Sequence, residues 1–145
     1  MSDLYELQLT LDMPDSLPAP DLALLRWHLG ESGEESQKSD AYPLLSSRGP
    51  AERIGGTLVG DLARGARGWA LTVRQELHPD EFDRLRELVE WIAARTSTFG
   101  TIGYLRFLED YLPDVLIADP ATGTAQRLPL TSRSAAEDLI PDPWG

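Results

Sequence analysis

The residues best suited to chemistry in this chain are polar side chains set two apart: Glu6, Gln8 and Thr10; Thr72, Arg74 and Glu76; Tyr104 and Arg106. Residues two apart on an extended segment share one face. If the three segments are neighbouring strands, that face collects two carboxylates, two guanidiniums, a phenol and two hydroxyls. Guanidinium forks match carboxylates and phosphates in two-pronged hydrogen bonds. Arg74, Glu76, Tyr104 and Arg106 are therefore the candidate ligand-binding residues, for a polar or anionic metabolite. The same mixture of charges also suits cross-strand pairing with no ligand present. It equally suits the docking of a second sheet across a dimer axis.

The other candidates are weaker. Of the two histidines, His28 follows Trp27 in a helical segment, and His78 directly precedes Pro79. An imidazole at a helix start can titrate near neutrality and act as a base, but it can also serve as a cap or a surface residue. His78 with Glu76 and Asp80 has no recognised metal-ligand spacing. The positive helix end there opposes a cation, so no metal is expected. Glu109, Asp110 and Asp114 could divide their pKa values for acid–base work, yet they also read as turn formers around Pro113. Residues 96–103 (TSTFGTIG) lack both the Gly-x-Gly-x-x-Gly pattern and a Walker lysine. They run from helix to strand, the reverse of a phosphate-binding loop. Ser46, Ser47, Ser132 and Ser134 have no nucleophile-elbow context. The absence of cysteine excludes disulfides, thiolate catalysis and Cys-based zinc sites. No catalytic set emerges and no cofactor is expected.

The elements that must hold these side chains follow from periodicity. Tyr5, Leu7, Leu9, Leu11 and Met13 alternate with polar residues, which predicts a strand ended by Pro14. Residues 21–29 predict a short helix with Leu22, Leu25 and Leu29 on one stripe, Pro20 at its start and Gly30 at its end. Residues 31–40 (ESGEESQKSD) hold no apolar side chain and predict a surface loop. Residues 42–45 should pin the returning chain to the core. Ile54, Leu58 and Leu62 are spaced for a strand, and the Gly- and Arg-rich residues 64–68 for a hairpin turn. A strand over 69–77 has Trp69, Leu71, Val73, Gln75 and Leu77 on one side. Pro79, Asp80 and Glu81 then open a helix carrying Phe82, Leu85, Leu88, Val89 and Ile92 at helical spacing. A strand over 101–108 follows. Residues 115–118 and 124–130 form a second hairpin around Asp119-Pro120-Ala121-Thr122-Gly123. Residues 135–140 predict one more helical turn, and Pro141, Pro143 and Trp144 an extended tail.

The order is β-α-β-β-α-β plus a β-hairpin. It predicts an α+β sandwich: an antiparallel sheet with two helices on one face. Over residues 4–108 this resembles the ferredoxin-like split arrangement, a similarity of topology alone. Such folds host many unrelated functions. The core face should carry Leu7, Leu9, Leu11, Leu58, Leu71, Val73, Leu105 and Phe107. Leu22, Leu25, Phe82, Leu85, Val89 and Ile92 should close it from the helices. Residues 1–130 are expected to form one domain. Residues 131–145 are expected to pack on it or on a partner subunit, because an exposed Trp144 needs a surface to cover it.

With 145 residues and a net charge of −11, the chain should repel polyanions, so nucleic-acid binding is not expected. It should attract cationic partners. No apolar run approaches the ~20 residues of a membrane helix, and the acidic start is unlike a signal peptide, so a cytoplasmic location is expected. Twelve arginines beside the single Lys38 associate with GC-rich bacterial genomes. The expected function is a non-catalytic interaction protein, a homodimer or the acidic partner of a cationic protein. The alternative is a small enzyme or metabolite binder that uses the polar sheet face.

Overall fold

The computed structural model describes residues 3–31 and 42–130. Strand β1 spans Tyr5–Pro14. Its alternation is nearly ideal, with Leu7, Leu9, Leu11 and Met13 at 0–4% exposure. Helix α1 covers Ala19–His28, opened by a proline in its first turn. It ends in a paired closure: Gly30 N–H donates to the Trp27 carbonyl and Glu31 N–H to that of Arg26. Gly30 has φ +80°, the left-handed conformation that this closure requires. The two-residue strand β2, Gly49–Pro50, was not foreseen from the sequence.

Strand β3 spans Thr57–Arg64 and β4 Gly68–Leu77. Ile54, expected in the first of these, lies before it. Gly55 and Gly56 both take positive φ (+81° and +69°) and turn the chain before the strand begins. A 3-10 turn, Pro79–Glu81, leads into helix α2, Phe82–Ala93. His78 is the N-cap residue, and its backbone N–H donates to Glu81 Oε1 at 3.0 Å. Strand β5 is Gly100–Phe107, followed by the hairpin of β6 (Asp114–Asp119) and β7 (Thr124–Pro129). No helix among the described residues is long and apolar enough to cross a membrane.

Among the described residues, seven strands join one antiparallel sheet in the order β2-β3-β4-β1-β5-β6-β7. The fold is therefore a mixed α+β structure, with two helices against the sheet face that carries Leu7, Leu9, Leu71 and Val73. One continuous cluster joins that face to Leu25, Leu29, Leu85, Leu88, Val89 and Ile92, with Leu44 and Leu45 from the returning chain. Leu22, Phe82 and Phe107, expected in the core, are only partly buried. Gly103 sits where β5 crosses β1, and a Cβ there would strike the Gln8 carbonyl. The expected loop over 31–40 falls almost wholly outside the described residues. So do Ser132, Ser134, the helical turn over 135–140 and the Trp144 tail.

Candidate functional site

Register brings the expected polar residues together on the other sheet face. Glu6 lies opposite Glu76 on β4 and Arg106 on β5, and Gln8 opposite Arg74 and Tyr104. All four residues singled out from the sequence therefore share one patch, away from the helices. What they surround is Glu6. Its side chain is only 5% exposed. Arg74 Nε donates to one carboxylate oxygen at 2.8 Å and Arg106 Nε to the other at 3.0 Å. Tyr104 donates its hydroxyl to the first oxygen at 3.1 Å. Burial raises the Tyr104 pKa above the ordinary phenol value, and the neighbouring Glu6 charge adds to the rise. The phenol stays protonated and donating.

The remaining valences are spent on backbone. Arg74 NH1 donates to the Gly55 carbonyl at 2.6 Å, and Arg106 NH1 to the carbonyls of Leu108 and Asp110, both at 3.1 Å. Glu76 accepts three backbone N–H groups, from Glu52 (3.1 Å), Arg53 (2.7 Å) and Ile54 (3.0 Å). Burial alone would raise the Glu76 pKa. The three N–H donors and Arg74 outweigh it and hold the carboxyl below its ordinary value. The patch thus clamps residues 52–57 to one side of β1 and residues 108–110 to the other. Its charges are matched, and both arginines are tied to Glu6 and to backbone carbonyls of the chain itself.

Two polar residues that tie several backbone segments together, the buried Gln75 and the exposed Arg48, were not singled out as functional from the sequence. Gln75, 1% exposed, lies on the helix-side face. Its amide accepts from Ser47 N–H at 3.0 Å and donates to the carbonyls of Ser47 and Val59. Arg48 gathers the carbonyls of Leu29, Leu45 and Gly60. For Gln75 the signal was present: an amide in an apolar row must find partners. For Arg48 nothing in the local pattern pointed to its role.

His28 is buried, and its Nδ1 accepts the Leu44 backbone N–H at 3.3 Å. Burial first, and the nearby Arg84 charge second, push its pKa down to about 4. It is a neutral core acceptor. His78, Glu109 and Asp110 are exposed. Among the described residues, no group of three His, Asp or Glu side chains is arranged to hold a metal.

Among the described residues, two clefts on the helix side stand out. One of about 430 Å³ separates α2 from β7, lined by Phe82, Leu85, Val89, Leu105, Leu116 and Ala125 with Arg86, Glu90 and Arg127 at its margin. A smaller one of about 190 Å³ lies between α1 and α2, beside His28, Arg84 and Trp91. Neither touches the polar patch. No family model, curated protein or solved structure matches this chain.

Proposed function

We propose that the chain is a non-catalytic interaction module whose partner, in the first instance a second copy of itself, docks on the sheet face opposite the helices. One observation carries this reading: the charged groups on that face are consumed internally, while the strands beside them present apolar side chains outward. Val115 on β6 lies between Tyr104 on β5 and Leu128 on β7, and Ile117 is two residues along. Leu128 is 45% exposed. Among the described residues, the segments that the patch ties down, 52–57 and 108–110, lie at its Glu6 end. The metabolite-binding alternative draws less support, because a ligand would have to displace Glu6 or the backbone carbonyls from both arginines. The strand order β3-β4-β1-β5 supports a ferredoxin-like reading of the core. The arginine-rich, acidic composition supports a bacterial cytoplasmic setting.

Two copies at −11 each repel, so burial of an uncharged strip must drive their pairing. Added salt screens that repulsion and should strengthen a homodimer, whereas it should weaken the complex with a cationic protein. Size-exclusion chromatography with light scattering should show a dimer that persists in high salt. Ile117→Arg should convert it to monomer without changing the circular dichroism. A monomer under all salt conditions, capturing no cationic protein, would refute the reading.

A further inference from the structure

We propose that the cleft between α1 and α2 binds a small monocarboxylate with a short apolar tail, and that Arg84 and His28 make its polar contacts. This concerns the helix side of the sheet and does not depend on the assembly reading above.

Leu24 and His28 of α1 line the cleft on one side, and Arg84, Glu87, Leu88 and Trp91 of α2 on the other. Positions 84, 87, 88 and 91 are three or four apart, so α2 presents them as one face. Two donors here lack an acceptor. Arg84 NH2 donates to the Tyr42 carbonyl at 2.6 Å, and the guanidinium lies 4.5 Å from the centre of the Tyr42 ring. Arg84 NH1 is shut off from water and has no hydrogen-bond partner. A buried cationic donor without an acceptor is costly, and its presence in a fold needs a reason. Among the described residues Arg26 Nε is in the same condition, but Arg26 lines neither cleft.

His28 supplies the second donor. Its Nδ1 accepts the Leu44 N–H, so the neutral ring carries its proton on Nε2. Burial and the Arg84 charge keep the ring neutral at physiological pH. One cation beside one neutral donor suits a single negative charge, and a guanidinium matches a carboxylate. Glu87, exposed on the same face of α2, offsets part of the Arg84 charge and disfavours a dianion such as phosphate. The rest of the wall is apolar: Leu24, Leu88 and Trp91. Trp91 is braced by Arg95, which lies 4.3 Å from its ring centre and is tied to Asp21 at 2.9 Å. At ~30 Å³ per water-sized group, a cleft of about 190 Å³ holds about six non-hydrogen atoms, the size of butyrate. The carboxylate would lie against Arg84 and His28, and the hydrocarbon between Leu24, Leu88 and Trp91. Tyr42 already holds NH2, so the guanidinium tip must turn toward the cleft for NH1 to meet the ligand, and Tyr42 should sense the change.

The probe is butyrate, titrated at neutral pH into the full chain labelled with nitrogen-15 and followed by NMR. Shifts that saturate in the millimolar range are expected at the His28 ring, the Trp91 indole and the Tyr42 amide. The Arg74 and Arg106 signals, on the opposite sheet face, should stay in place. Butyramide has the same shape without the charge and should bind about tenfold more weakly or worse. Sodium chloride at equal ionic strength should produce no saturable shift. Arg84→Gln should weaken butyrate by a similar factor. Glu87→Gln removes the opposing charge at an exposed position and should tighten butyrate measurably, which keeps the test decisive even if Arg84→Gln does not fold. Three results would overturn the proposal: no saturation in the millimolar range, butyramide or chloride reproducing the shifts, or a Glu87→Gln variant that binds butyrate no better than the wild type. A failed dimer test leaves this assignment standing, and failure here leaves the outer sheet face unaffected.

Discussion

Glu6→Ala is the sharpest test of the idea that the polar patch is a clamp. The carboxylate is 5% exposed, and the arginines on either side are 21% and 22% exposed. Deleting one partner of a buried ion pair typically costs about 3–5 kcal/mol, because the remaining charges stay desolvated. Here a fifth of each guanidinium still reaches water, so the lower end applies, about 3 kcal/mol. For a domain of this size each kcal/mol moves the melting temperature by roughly 2–4 °C, which gives a fall of roughly 6–12 °C. Asp83→Ala is the matched control. It removes an ion pair with Arg86 of the same 2.8 Å length, but the two side chains are 88% and 66% exposed. Such a pair contributes below about 1 kcal/mol. The clamp also predicts where the damage appears. Hydrogen exchange should quicken at residues 52–57 and 108–110, which Arg74, Glu76 and Arg106 tie down, and leave α1 unchanged. Calorimetry and exchange on Glu6→Ala, Glu6→Gln and Asp83→Ala decide it, with Glu6→Gln intermediate because it keeps acceptor oxygen. A Glu6→Ala melting temperature within 2 °C of that of Asp83→Ala would refute the reasoning.

Two further outcomes follow from the same structure. His28 has a folded pKa near 4, below its ordinary 6.5, so protonation favours the unfolded chain. The stability that a neutral His28 confers is complete above about pH 6.5 and is lost as the pH falls toward 4. Urea midpoints measured across that window should therefore drop more steeply for the wild type than for His28→Gln, and parallel curves would disprove the assignment. Gly103→Ala should cost more than about 4 kcal/mol in urea unfolding, because its Cβ strikes the Gln8 backbone. Gly100→Ala, where φ is +91° but the space is empty, should cost only about 1–2 kcal/mol; equal losses would show that β1 and β5 can separate to make room.

The sequence made the long strands and the second helix legible because each has a clean period. β1 and β4 are within a residue of their expected bounds, α2 begins three residues after Pro79 behind a 3-10 turn, and Leu9 and Val73 face the core as the alternation demands. Even the outer-face neighbours of Glu6 were readable once β1 was placed between β4 and β5. What could not be read was how the patch would be used. Periodicity places Arg74 and Glu76 on a face, but their partners come from Gly55, Ile54 and the backbone around them. Those residues fold over the sheet only because two successive glycines adopt positive φ. Irregular segments carry no period, so the clamp that closes the site was invisible although its side chains were not. The same blindness hid Arg48, whose four carbonyl partners, Leu29, Leu45, Ser47 and Gly60, lie on three different segments.

An ion cluster on an open sheet face is a poor source of stability, since desolvation offsets much of the attraction. Its value here lies in register. β1 is flanked on both sides, and a slip of one residue would turn Leu7, Leu9 and Leu11 to solvent. Apolar burial opposes that slip but hardly distinguishes a shift of two, which restores the alternation. Glu6 does distinguish it. A two-residue shift against β4 or β5 would draw its carboxylate away from Arg74 or Arg106 and leave a guanidinium clasped to backbone without its counter-charge. The cluster therefore specifies which of several similar hydrophobic pairings the central strands adopt. That role requires both arginines to be held on Glu6, as Arg74 and Arg106 are. The face they leave flat is then available for docking, while their own charges are not.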